Sequence, residues 1–270
     1  MSTTATPRRR LPFPRGRKPA PPARIRPDGS RDVELPLIEH LRELRSRLVK
    51  AALSVAVATV ISFLFVEQTI TLLLEPAGDV DFIAIAPTET FINYLKVAFY
   101  AGIAISMPLL VYQIFRFLAP GLTRTERRWV LLSLPAVTFL FVLGLVFCYS
   151  VLLRPALGFL LGFGSDRIVN MPSISLYLSF VTRFLLAVSI AFQTPVIVFL
   201  LSKLGVATPK RLAKFRRWAY VLAFVMAAII TPTPDPINQS FVAIPIILLY
   251  ELGIIFARIG GRPRKPEAAA

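Results

Sequence analysis

The chain has one cysteine and one histidine, and its 15 Asp and Glu are outnumbered by 31 Lys and Arg. Cys148 has no second thiol to pair with, so a disulfide framework is excluded. With His40 the sole imidazole, a protein-built zinc or haem site lacks ligands. No G-x-x-x-x-G-K-[ST] phosphate loop occurs, and Glu39-His40-Leu41-Arg42-Glu43 does not match the H-E-x-x-H zinc helix. Gly162-Phe163-Gly164-Ser165 lacks the strand–turn–helix context of a nucleophile elbow. These absences point away from an enzyme, and no cofactor is expected.

What is present is apolar length. The chain of 270 residues is 55% hydrophobic, with a mean hydropathy of +0.66. Several uninterrupted runs reach the ~18–20 residues that a spanning helix needs. None alternates with period two, so a barrel is not indicated. The reading is an all-α polytopic membrane protein with six transmembrane helices, near residues 48–66, 91–118, 129–153, 176–201, 218–230 and 241–256. The last two runs are short of the usual span. They either thin the bilayer or are lengthened by flanking residues. Residues 1–33 form a basic Pro/Arg-rich tail, 34–259 the membrane domain and 260–270 a short basic tail. The first tail has no apolar segment close behind its basic cluster, unlike a cleavable signal peptide, and its composition suits disorder. It either lies on anionic lipid or is solvated.

A net charge of +16 in a soluble chain would suggest nucleic acid. Here the bases cluster beside the apolar runs, so topology and anionic lipid account for them, and nucleic acid is not an expected partner. Both tails, the 116–128 connector and Lys203–Arg217 are basic, and they alternate with acidic or mixed loops. The positive-inside rule then puts both termini in the cytoplasm. No internal repeat is visible.

Two acids stand out on the basic face. Leu37, Leu41, Leu44 and Leu48 form one stripe of an amphipathic helix that also carries Glu43 among Arg42, Arg45 and Arg47. Glu126 stands beside Arg124, Arg127 and Arg128. Glu43 has the spacing of an i,i+4 pair with Arg47, worth ~0.3–0.5 kcal/mol. Thr123-x-x-Glu126 has the form of a capping box. The alternative is a carboxylate pair awaiting guanidinium forks, which lysine cannot imitate. The spacing leaves both readings open.

The motifs in order are Leu37-Ile38-Glu39-His40-Leu41-Arg42-Glu43-Leu44-Arg45-Ser46-Arg47-Leu48, Ser106-Met107-Pro108, Tyr112-Gln113, and Phe117-Leu118-Ala119-Pro120-Gly121-Leu122 leading to Glu126-Arg127-Arg128. Tyr177-Leu178-Ser179-Phe180, Phe192-Gln193-Thr194-Pro195, Thr231-Pro232 with Asp235, and Ala243-Ile244-Pro245 to Tyr250-Glu251-Leu252-Gly253 follow. From about Leu35 to Ile259 the chain resembles the TatC subunit family of the twin-arginine protein translocase. The resemblance implies a receptor for Arg-Arg signal peptides of folded proteins in a bacterial cytoplasmic membrane. It implies export driven by the proton-motive force in an oligomeric complex with TatA- and TatB-type single-span subunits. By the same resemblance Glu43, Arg45, Phe117 and Glu126 match signal-peptide positions. Gln193, Thr231, Asp235 and Gln239 match polar positions in the membrane or at partner subunits.

Gln193 departs from the family, which often has glutamate there. An amide costs less to bury than a carboxylate and still bonds. It is expected to bond a partner helix or water, or else the carbonyl freed by Pro195. Lys96 and Arg183 read as snorkelling cations, and Glu251 as a partner for Arg258 or a neighbouring helix. Pro108, Pro135, Pro195 and Pro245 are each expected to interrupt a helix ladder. A small secondary transporter with a midplane solute site is the alternative function, and it lacks the repeated halves such a site uses.

Overall fold

An apolar run that crosses lipid must satisfy its own backbone groups, which a helix does and a lone strand does not. The computed structural model describes residues 37–78, 80–162, 172–231 and 236–260, and nearly all of them are helical. The first segments are α1 (Leu37–Phe63), α2 (Val66–Leu74) and α3 (Glu89–Leu118). A third rod stacks α4 (Arg124–Leu132), α5 (Leu134–Phe147), a π-helical turn at Cys148–Leu152 and α6 (Leu153–Gly162). The fourth joins α7 (Ile174–Ala191) to α8 (Thr194–Lys203). The short α9 (Pro209–Lys214) leads to α10 (Arg216–Ile230) and α11 (Pro236–Gly260). Among the described residues the sole β contact is one isolated bridge, Ile83 with Ser173.

Five stretches are long and apolar enough to cross a membrane: Ile38–Phe63, Glu89–Gly121, Arg124–Leu160, Ile174–Lys203 and Gln239–Gly260. The helix of the fifth apolar run, α10, has 15 residues, about 22 Å at 1.5 Å per residue, against a ~30 Å hydrocarbon core. The sixth apolar run behaves differently. It lies inside the 25-residue α11, because flanking residues continue the helix at both ends. The two expected tails and Asp235 lie outside the described residues.

The intramembrane prolines divide into two kinds, and two of them show the ordinary tolerance of proline in a membrane helix. Pro135 and Pro195 each stand at the start of a new helix, whereas Pro108 and Pro245 sit inside α3 and α11. The carbonyl of Ala191, which Pro195 cannot bond, receives the Thr194 hydroxyl at 2.7 Å. At the other break Ser133 Oγ donates to the Val130 carbonyl, also at 2.7 Å. At the Pro195 break a local hydroxyl thus covers the freed carbonyl.

The helices meet where side chains are small. A Cβ built on Gly102 would lie 2.4 Å from Thr59 Oγ1 and 2.7 Å from Thr59 Cα, so α1 rests directly on α3. Gly144 brings α5 equally close to α7 at Ser189, and Gly253 brings α11 onto Val198 of α8. Val97, Cys148, Leu153, Val181 and Phe184 form the centre of the main core. α1 is peripheral: 11% of its apolar window is buried, against 50% for α7 with α8. Its Leu53, Val57 and Val60 are left facing outward, as a lipid-facing helix requires.

At the end remote from the α3–α4 turn, the loops are tied together. Ile83 N–H donates to Pro172 O and Ile83 O accepts the Ile174 N–H, and Glu89 accepts from Ser173 Oγ at 2.7 Å and Ser175 N–H at 3.1 Å. Lys96, expected to snorkel, instead reaches Ser175 and Ser179 of α7 at 3.4 and 3.5 Å. Arg183 is exposed and donates Nε–H to its own helix at Ser179 O.

Gly102→Ala is expected to push α1 off α3 and destabilise the protein by ~1–3 kcal/mol. Gly158→Ala, whose added Cβ would meet nothing within 4 Å, serves as the control and should be neutral or stabilising by up to ~1 kcal/mol. Thermal unfolding in detergent distinguishes them; equal midpoints would contradict the close approach.

Candidate functional site

α3 ends in a 3₁₀ turn at Ala119–Gly121, after which Leu122 is extended and Thr123 caps α4. The capping box is complete. Thr123 Oγ1 accepts the Glu126 N–H at 3.3 Å, and Glu126 Oε2 accepts the Thr123 N–H at 2.9 Å. A carboxylate in the first turn also faces the positive helix end. The local motif therefore fixes where Glu126 stands.

The close contact at Gly102 sets α1 alongside α3, and the first turns of α1 reach the α3–α4 turn. His40 of α1 stacks on Phe117 of α3, ring centroids 4.5 Å apart at 22°. Glu43 accepts from Arg47 Nη2 at 3.2 Å, and both side chains are largely covered. Glu43 and Arg47 line a cavity of about 230 Å³ together with Arg116, Ala119, Pro120 and Arg127. Arg116 also leans over the Tyr112 ring at 5.9 Å. The corner so formed holds three guanidiniums and one carboxylate.

Of the four residues expected to share one site, Glu43 lines the cavity and Phe117 packs beside it through His40. Glu126 belongs to the capping box and directly precedes Arg127, which lines the cavity. Arg45 is exposed and is not part of the wall. Arg116 and the His40 ring join the corner without any signal in their local sequence. Helical spacing signals Arg47, but nothing local links His40 to Phe117.

The second group is spread through the bundle. Gln193 is buried at the α7–α8 break, and its Nε2 donates to the Val137 carbonyl of α5 at 3.2 Å. The alternative bond to the carbonyl freed by Pro195 is overturned, because Thr194 occupies that acceptor. Gln193 Oε1 is buried without a hydrogen bond. Thr231 is buried and donates to Ala227 O at 2.9 Å. Gln239 Nε2 donates to Phe224 O at 2.7 Å and borders an open groove with Tyr220, Val225 and Ile229 of α10. Glu251 pairs across helices with Arg216 at 2.6 Å and accepts the Tyr220 hydroxyl at 2.7 Å. Its expected neighbouring-helix partner is thus α10.

Comparison with known proteins decides the family. The family model described as Sec-independent protein translocase protein (TatC) matches residues 39–245. The chain belongs to the TatC family. The TatC of Aquifex aeolicus is 38% identical over 237 residues, covering 86% of this chain and 98% of that one. That of Deinococcus radiodurans is 35% identical over 250 residues, 90% of each chain. A crystal structure of a twin-arginine translocase receptor, TatC, superposes with a TM-score of 0.70 at 37% identity, covering 82% of this chain and 98% of that one. A second, in DDM, gives 0.72 at 38% identity, covering 81% and 99%. As a TatC-family member the chain is a multi-pass membrane protein and a non-enzymatic component of protein translocation.

Thr123→Ala removes the cap and should cost about 1 kcal/mol of stability. Glu43→Gln removes one i,i+4 ion pair and should shift stability by no more than ~0.5 kcal/mol. Thermal melts of the two variants side by side test the assignment. A Glu43→Gln loss as large as that of Thr123→Ala would give Glu43 a structural role beyond this pair.

Proposed function

We propose that this chain is the receptor and core subunit of a twin-arginine translocase. It binds the paired arginines of signal peptides on folded cargo at the corner between α1 and the α3–α4 turn. The observation that carries the reading is the convergence of Glu43 with that turn, beside the stacked His40 and Phe117. Glu43 already accepts one guanidinium, that of Arg47, through a single 3.2 Å bond. An incoming arginine that offers both prongs of its fork exchanges with it favourably. Glu126 supplies the second carboxylate. Arg45 acts from the exposed face of α1, attracting the peptide's carbonyls or lipid phosphates.

The basic loops and the α3–α4 turn face the cytoplasm in this reading, with both termini inside and the chain in a bacterial cytoplasmic membrane. TatA- and TatB-type single-span partners dock along α10 and α11, where Thr231 and Gln239 stand and between which Asp235 falls in the sequence. Gln193 contributes a polar point inside the bundle. The assembled complex moves cargo at the expense of the proton-motive force, and anionic lipid borders the basic face.

The test is capture of an Arg-Arg signal peptide and of its Lys-Lys variant by the purified protein. Charge-assisted bonds worth ~1.5–3 kcal/mol predict about tenfold to hundredfold weaker capture of the Lys-Lys form. The Glu43→Ala, Glu126→Ala double variant should lose the preference, while Gly158→Ala, in α6 and outside the corner, should keep it. Equal capture of both peptides by the unaltered protein would refute the site.

A further inference from the structure

The cavity at the α1–α3 corner carries a charge imbalance that arginine reading does not use. Arg47, Arg116 and Arg127 line it, with Glu43 the one acid in its wall. Glu43 is already engaged by Arg47, and Glu126 turns Oε2 back to the Thr123 amide. Neither Arg116 nor Arg127 forms an ion pair among the described residues. Arg47 Nε is buried and makes no hydrogen bond. A wall of guanidiniums with spare donors calls for a multidentate oxyanion.

We propose that this cavity binds the headgroup phosphate of an anionic phospholipid from the adjoining leaflet. Its size supports a small group: about 230 Å³ is below the roughly 300–1,000 Å³ of pockets that take drug-sized ligands. Its surroundings support a lipid over a free ion. Leu41, Leu44 and Leu48 of α1 and Leu118 of α3 are all exposed on the helices that carry Glu43, Arg47 and Arg116. Their apolar surface offers acyl chains a path while the phosphate turns inward to the arginines. The ligand's charge follows from the balance, because a net cationic corner favours an anionic headgroup over a zwitterionic one.

The lipid has a consequence for the acid. A phosphate held by Arg116 and Arg127 attracts Arg47 as well, which releases Glu43 for an arriving guanidinium and offsets the repulsion that a basic peptide meets there. This consequence rests on the receptor reading; the lipid site itself does not.

Native mass spectrometry of the full chain in detergent tests the site, titrated separately with phosphatidylglycerol, phosphatidylcholine and inorganic phosphate. Phosphatidylglycerol should be retained in preference to both. Arg116→Gln with Arg127→Gln should weaken its retention about tenfold. Arg127→Gln alone, at an exposed side chain, gives a smaller loss in a variant whose folding is not at stake. Glu43→Gln should hold phosphatidylglycerol at least as tightly as the unaltered protein while losing arginine-peptide capture, so the two sites fail separately. Equal retention by the unaltered protein and the double-arginine variant would overturn the proposal. Equal affinity for inorganic phosphate would overturn the lipid as source, as would displacement of the lipid by a Glu-rich peptide.

Discussion

In lipid a backbone group without a partner has no water to turn to, and this constraint shapes every rod of the bundle. At the break in the third rod Ser133 donates to Val130 O, and at the break in the fourth the Thr194 hydroxyl takes the Ala191 carbonyl that Pro195 leaves free. The second break matters most. It turns Gln193 out of the regular ladder and lets its amide reach α5 at Val137. Where a family member with glutamate would place an ionisable group, this chain keeps a neutral one whose Oε1 is buried without a bond.

The α1–α3 corner depends on two features far apart in the chain. Gly102 removes the side chain that would hold α1 away, so Thr59 comes within contact of the α3 backbone. Some turns further on, the capping box at Thr123 and Glu126 starts α4 directly after the 3₁₀ turn. Together they deliver Glu43 and Arg47 from α1, Arg116 from α3 and Arg127 from α4 to one small cavity. The outcome is a corner richer in cations than in acids. Such a corner needs an anion nearby if it is to receive more arginine.

α10 is too short to span a ~30 Å core unaided. Polar bonds to α11 compensate for the contact area it lacks. Arg216 and Tyr220 meet Glu251 in the first turns of α10, and Gln239 meets the Phe224 carbonyl at its middle. The open groove beside Gln239 runs on past Phe224 to Ile229.

The sequence by itself determined what depends on local pattern. Apolar run length and charge placement yield the six helices, and Thr-x-x-Glu yields the cap that the structure shows closed at both bonds. Glu43 with Arg47 was legible for the same reason, since four residues make one helical turn. What only the tertiary structure decided were contacts between helices. The stack of His40 on Phe117, the pairing of Glu251 with Arg216 and the gathering of Arg116 and Arg127 around Glu43 carry no local signal. Nor does sequence tell that Pro108 and Pro245 remain within continuous helices while Pro135 and Pro195 begin new ones. The first turns of α1 illustrate both. Its leucine stripe and its acid are written in the spacing, but the company that Glu43 keeps is set by how closely α1 approaches α3. One glycine's missing side chain permits that approach.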